Sequence, residues 1–325
     1  MVIYPNGFLN ISNRGDDLVT NKKQILPYLA GLCFSLIFGL SFIFAKEGLT
    51  VLQPFHLLAF RFGVGLLFIS TLKVTGIIKM NFKHKNLKAL LTLTLFQPVL
   101  YFICELTGLD RTTASEAGMM IALVPVVVAI LSTIFLKETP TKLQSFFIGL
   151  SVSGVFFIMA MTGSVDLSEN LAGMFILLGA VFSAGIFNIL SRKTSMHFSA
   201  VEITYVMMCV GFVFFGSLSI AQHALEGRLH LFFEPLGNTQ ALISIFYLGL
   251  VSSVVGFFMV NYMLSKIEAS RSAVFANLIT IVSIIAGVVL LGDPFYWYHG
   301  IGSLLIIVGV WGTNYFRKKT MTAKS

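Results

Sequence analysis

The chain has 325 residues, of which 56% are hydrophobic and only 11% charged, with a net charge of +8 and a mean hydropathy of +0.89. Soluble domains carry about 25% charged residues, so the composition excludes an ordinary soluble protein and points to an all-α polytopic membrane protein. The basic residues lie between apolar runs rather than on one soluble face, which removes nucleic acid as the partner that a positive balance could suggest.

Residues 1–25 are polar and mixed, show no signal-peptide pattern, and read as a loose cytoplasmic tail. Ten apolar runs follow, near 26–45, 55–73, 88–108, 113–136, 142–162, 170–191, 200–222, 240–264, 270–291 and 295–316. A hydrocarbon core of about 30 Å needs about twenty apolar residues, so each run is a transmembrane helix. The first five occupy 26–162, the second five 170–316, and 317–325 form a short cytoplasmic tail. The longest connection, His223 to Thr239, contains Pro235 and Gly237 but no strand or helix pattern. Cys33, Cys104 and Cys209 all fall inside spans, which implies neither a disulfide framework nor a metal cluster.

Lysine and arginine test the count of spans, because an error of one would scramble their alternation. One side collects Arg14, Lys22, Lys23, Lys73, Lys79, Lys83, Lys85, Lys88, Lys137, Lys142, Arg192, Lys193, Lys266, Arg271 and the four basic residues after 316, whereas the other has only Lys46, Arg111 and Arg228. Both termini are therefore expected in the cytoplasm, with the chain in the plasma membrane.

The pattern of the fourth span returns 155 residues later: Ala114, Ser115, Leu123, Val127 and Leu136 fall on Ala269, Ser270, Leu278, Val282 and Leu291. Earlier in the chain the offset is 146, which places Gly39 on Gly185, Ile43 on Ile189 and Lys46 on Arg192. Two copies of five spans must enter the membrane from opposite sides. Such inverted repeats suit a secondary transporter, since two similar halves can exchange roles and open a central site to each side in turn. Pro125 has Thr280 as its counterpart, so a kink is expected in only one of the paired helices.

The runs FSLIFGLSFIFAK, PFHLLAFR, ASEAGMMIALVPVVVAILSTIFLKE and ASRSAVFANLITIVSIIAGVVLLGD resemble the EamA family of the drug/metabolite transporter superfamily over roughly residues 27–316. The resemblance implies two five-helix halves, a central cavity, and export or exchange of small metabolites such as amino acids. An intramembrane enzyme or lipid-processing protein is the alternative, and the residues offer it only Glu105 and Glu116. No GxxxxGK[ST], HExxH or GxSxG occurs, so neither ATP nor a catalytic cofactor or metal is expected.

An ionised side chain at mid-membrane costs about 2.5–3.5 kcal/mol on insertion scales, so each invites a partner or a purpose. Arg61 lies a third of the way into the second span, and Glu105 and Glu116 are the carboxylates able to pair with it; Glu105 is the first choice. Glu116 also suits the first turn of its own helix. Gln97, Tyr101 and Glu105 recur every four residues and share a face that should point inward, where Pro98 frees a carbonyl. Asn188 and Asn277 complete the candidate substrate-binding set of Arg61, Gln97, Tyr101, Glu105, Glu116, Asn188 and Asn277. If Arg61 holds Glu105 ionised, Glu116 is the better proton carrier, and facilitated transport or exchange without obligatory proton coupling is expected. His56 reads as an interfacial residue. Gly149 with Ser153, and Gly309 with Thr313, have the small-xxx-small spacing of close helix packing and admit a homodimer.

Overall fold

The computed structural model describes residues 12–83, 85–136, 141–162, 168–267, 272 and 275–316, and no strand occurs among them. The helices are α1 (Ser12–Leu49), α2 (Pro54–Val74), α3 (Leu87–Asp110), α4 in two pieces (Ala114–Ile121 and Val124–Leu136), α5 (Lys142–Thr162), α6 (Ser168–Thr194), α7 (Ala200–Leu225), α8 (Thr239–Lys266), α9 (Phe275–Leu291) and α10 (Trp297–Tyr315). Among the described residues seven helices are long and apolar enough to cross a membrane, and shorter apolar stretches fill Lys142–Ile158, Phe275–Leu291 and Trp297–Gly312.

Local chemistry sets the ends. Asn86 accepts from the Lys88 amide at the start of α3, and Pro54 opens α2 at a position that needs no amide donor. Thr113 with Glu116 and Ser199 with Glu202 form reciprocal capping boxes on α4 and α7. Gly292 closes α9 with φ of 69°, a left-handed conformation that glycine adopts without steric cost.

The structure departs from the expected spans in several places. The first helix begins at Ser12, well inside the expected tail, because hydropathy marks where a helix meets lipid and not where it starts. It continues through Pro27. The connection after α7 carries two short 3-10 turns, Leu229–Leu231 and Glu234–Gly237. In α3 the turn Leu95–Leu100 widens to i→i+5 geometry and Gln97 leaves the helical region at φ −143°, ψ 115°; Pro98 has no amide to continue the ladder. A longer wide turn, Tyr247–Gly256, occupies the middle of α8. α4 is interrupted at residues 122–123, just ahead of Pro125, whereas α9 runs unbroken from Phe275 to Ala286 before a final wide turn at Gly287–Leu291.

α1 packs on α8 and α9, α6 on α3 and α4, α2 on α7, α4 on α9, and α5 on α10. The close approaches recur at the sequence offsets. A Cβ on Gly39 would lie 2.5 Å from Val282 Cβ, and one on Gly185 2.5 Å from Val127 Cγ1. Gly65 meets Met208 while Gly211 meets Phe62, each pair 146 residues from the other. At another paired contact the small partner changes sides: Gly31 faces Met263 in one place, and Gly108 faces Leu177 in the other. With no hydrophobic drive between helices in lipid, close contacts of this kind are what hold a bundle together. Gly309 is used inside the chain, pressed on Phe147 and Ser151 of α5. Gly149 meets nothing within 4 Å and Ser153 is exposed, so that face of α5 looks outward; the side chain of Thr313 lies outside the described residues.

Candidate functional site

A small cavity of about 50 Å³ lies between α1, α3, α4, α6, α8 and α9. Gln97 and Tyr101 of α3 and Asn188 of α6 supply polar groups, against an apolar wall that includes Phe38, Phe187 and Phe257. Asn188, Met263 and Ser272 place the cavity toward the end of the bundle that carries Arg192, Lys193 and Lys266. Its mostly apolar lining with a few convergent polar groups is that of a small-molecule site, while its volume is well below the roughly 300–1,000 Å³ of one that encloses a ligand.

The polar network continues beyond the lining. Tyr101 Oη donates to Glu105 Oε1 at 3.2 Å, and Glu105 is 3% exposed. Arg61, 1% exposed, donates from Nε to Ser253 Oγ at 2.7 Å and from Nη2 to Ser252 Oγ at 2.9 Å, with its guanidinium 4.2 Å from the centre of the Phe102 ring. Arg61 and Glu105 interact electrostatically, but no ion pair within 4 Å joins them. The expected direct pair is thus replaced by two serine hydroxyls of α8. Both serines sit in its wide turn, which brings successive residues to face α2.

Glu116 lies outside the cavity lining. Its Oε2 accepts from the amide and hydroxyl of Thr113 at 3.0 and 3.1 Å, and its Oε1 is 3.8 Å from His299 Nε2. Asn277 also lies outside the lining, with Oδ1 buried and unpartnered among the described residues. Asn188 donates to the Ala184 carbonyl at 2.8 Å. His56, expected at an interface, is buried under the loop after α7: its Nε2 lies 2.9 Å from the Phe232 carbonyl oxygen and its ring 4.4 Å from that of His223.

The end of the bundle away from the cavity is tied shut by polar contacts. Lys46 donates to the Leu109 and Thr112 carbonyls at 2.8 and 2.6 Å. Asp293 accepts from the amide and hydroxyl of Ser115, both at 2.9 Å, placing an anion at the N-terminus of α4. Gln240 donates to the Glu47 carboxylate and, at 3.1 Å, to Thr50. At the cavity end Arg192 donates to the Leu264 carbonyl at 2.8 Å. Lys46 and Arg192 stand 146 residues apart, and Leu109 and Leu264 stand 155 apart, so the two contacts correspond.

Ser252 and Ser253 were not foreseen from the sequence; in a further buried bridge Asn261 accepts from Ser191 at 2.9 Å and donates to Thr204 at 3.2 Å. Adjacent serines in a span that faces a buried arginine were the available signal.

The EamA-like transporter family model matches the chain twice, over residues 25–160 and 171–315. The chain belongs to this family. Among EamA-like relatives, it is 36% identical over 303 residues to "Uncharacterized transporter YcxC" of Bacillus subtilis (strain 168), covering 93% of this chain and 97% of that protein. It is 27% identical over 278 residues to an "Uncharacterized transporter" of Archaeoglobus fulgidus, with coverages of 84% and 93%. A "Probable terminal-alkyne amino-acid exporter" of Streptantibioticus cattleyicolor is 25% identical over 204 residues, with coverages of 62% and 65%. A solved crystal structure at 16% identity superposes with a TM-score of 0.61 over 88% of this chain and 96% of that one, a likeness of fold alone.

Proposed function

We propose that this EamA-like protein is a ten-span secondary transporter of the plasma membrane, built as two inverted five-helix repeats, that exports or exchanges a small metabolite such as an amino acid. The observation that carries the proposal is the off-centre position of the cavity lined by Gln97, Tyr101 and Asn188, toward the end crossed by the Arg192–Leu264 contact and the Lys85–Glu202 pair and away from the end closed by Lys46 and Asp293. That is the form expected of one state in alternating access. The repeat reading is supported by the corresponding contacts Gly39–Val282 and Gly185–Val127, and by Lys46–Leu109 and Arg192–Leu264. The partition of lysine and arginine supports cytoplasmic termini, which makes this state inward-facing. The amino-acid class rests on the printed name of the Streptantibioticus relative.

Counterflow of labelled L-amino acids in proteoliposomes tests the transport reading. We expect uptake that depends on preloaded amino acid and falls strongly in Asn188→Leu; uptake no faster than in empty liposomes, across amino acids and a wider metabolite panel, would refute it. Reporter fusions test the topology. Fusions after Lys85 and Ser325 should be cytoplasmic, and one between Glu226 and Gly237 should be exported.

A further inference from the structure

We propose that Glu105 is a proton-binding site, coupled to the cavity through Tyr101, and that the protein exchanges a proton for its cargo. The coupling rests on the transport reading; the proton site itself does not. Among the described residues, Glu105 Oε2 is the one buried carboxylate oxygen without a hydrogen-bond partner. Its other oxygen is held by Tyr101 Oη, and Tyr101 itself lines the cavity. One hydroxyl therefore stands between the cargo space and the carboxyl group.

The charged and titratable neighbours are few. Arg61 of α2 and Tyr101 of α3 act on Glu105, and Tyr247 of α8 acts in turn on Arg61. Arg61 spends Nε and Nη2 on the α8 serines and makes no ion pair with Glu105. Its charge is near enough to stabilise a carboxylate, yet it does not close off Oε2, so both protonation states of Glu105 are available. A permanently neutral or permanently clamped acid could carry nothing.

With the proton on Oε2, the Arg61–Glu105 set carries one positive charge; with the proton off, it is neutral. A cargo that presents an ammonium or another hydrogen-bond donor to the Tyr101 oxygen strengthens the bond that Tyr101 donates to Glu105 and so stabilises the carboxylate, and the proton leaves as the cargo binds. One proton enters for each cargo molecule that leaves. A cargo with no net charge then moves one positive charge inward per cycle. Neither Glu105 nor Glu116 lines the cavity, but Tyr101 joins Glu105 to it, whereas the Glu116 carboxylate is committed to Thr113; with no ion pair holding Glu105, the expectation of transport without obligatory proton coupling gives way.

Infrared difference spectra of the full chain in lipid nanodiscs, recorded between acidic and alkaline buffer without cargo, test the site directly. The carbonyl band of a protonated carboxyl group should be lost in Glu105→Gln, retained in Glu116→Gln, and shifted in Tyr101→Phe, which removes the hydroxyl on Oε1. A Glu105→Gln spectrum that superposes on wild type overturns the proposal. Should that variant not survive purification, an unshifted band in Tyr101→Phe does the same. In proteoliposomes holding a pH dye, an outward gradient of mixed L-amino acids should acidify the lumen with wild type and not with Glu105→Gln; equal acidification by both overturns the coupling. If the band is present but amino acids move neither themselves nor protons, the amino-acid assignment fails and the proton site stands.

Discussion

Replacing Gly39 with alanine puts a methyl group 2.5 Å from Val282 Cβ and 2.6 Å from its Cγ1, with the Ile279 carbonyl oxygen at 3.0 Å. Carbon atoms rest about 3.5–4.0 Å apart, so the overlap is roughly 1 Å. The carbonyl bars a sideways escape, and α1 and α9 must separate. Overpacking of this kind costs about 1–3 kcal/mol, and we expect about 2 kcal/mol for Gly39→Ala. Val282→Gly alone should also destabilise, but it removes both the Cβ and the Cγ1 that the new methyl meets, so the double variant should recover about 1–2 kcal/mol of coupling. The same cycle at Gly185 and Val127, where the closest approach is again 2.5 Å, should give coupling of the same sign and similar size. Equilibrium unfolding in mixed micelles, followed by circular dichroism, measures both cycles. Gly149→Ala is the control, since nothing lies within 4 Å of it, and it should show no loss and at most the gain of about 1 kcal/mol that alanine brings to a helix interior. The reasoning is refuted if Gly39→Ala, like the control, shows no loss, or if the two cycles couple with opposite signs.

Arg61→Lys should lose most of the stability that the guanidinium provides, because an ammonium cannot reach Ser252 and Ser253 together; with charged hydrogen bonds worth about 1.5–3 kcal/mol each, a loss near 2 kcal/mol is expected in the same unfolding assay. A loss below about 0.5 kcal/mol would mean that the serines are not its anchors. Lys46→Met should loosen the closed end, exposing a cysteine placed at Ser115 to a membrane-impermeant thiol reagent several-fold faster than in the Lys46 background, whereas Arg192→Met should leave that rate unchanged. Equal rates in all three backgrounds would show that Lys46 does not close that end.

Much of the fold was legible because lipid imposes simple conditions on a chain. Apolar length marked the helices, Pro98 and Pro125 marked where two of them depart from regular geometry, and the 146 and 155 offsets selected residues that the structure brings into corresponding contacts. The candidate site was legible in part: Gln97, Tyr101 and Asn188 line the cavity, while Arg61, Glu105, Glu116 and Asn277 do not. Depth within a span can be counted along the sequence, but rotation about the helix axis cannot once a turn widens. The wide turn at Tyr247–Gly256 is what aims Ser252 and Ser253 at Arg61, and no proline or charge announces it. The burial of His56 was equally hidden, since it depends on a loop more than 170 residues away folding back over it.

The exchanged partners at Gly31–Met263 and Gly108–Leu177 bear on how such a chain could have arisen. On the proposed repeat arrangement, position 31 of the first half corresponds to 177 of the second, and 108 to 263. A dimer of two first halves would therefore set glycine against glycine and leave a gap at each copy of this contact. A dimer of two second halves would set leucine against methionine and leave no room. Each half is fitted to its opposite and unfit for itself, a divergence open to the halves once they always meet in the same pairing, which joining them in one polypeptide ensures.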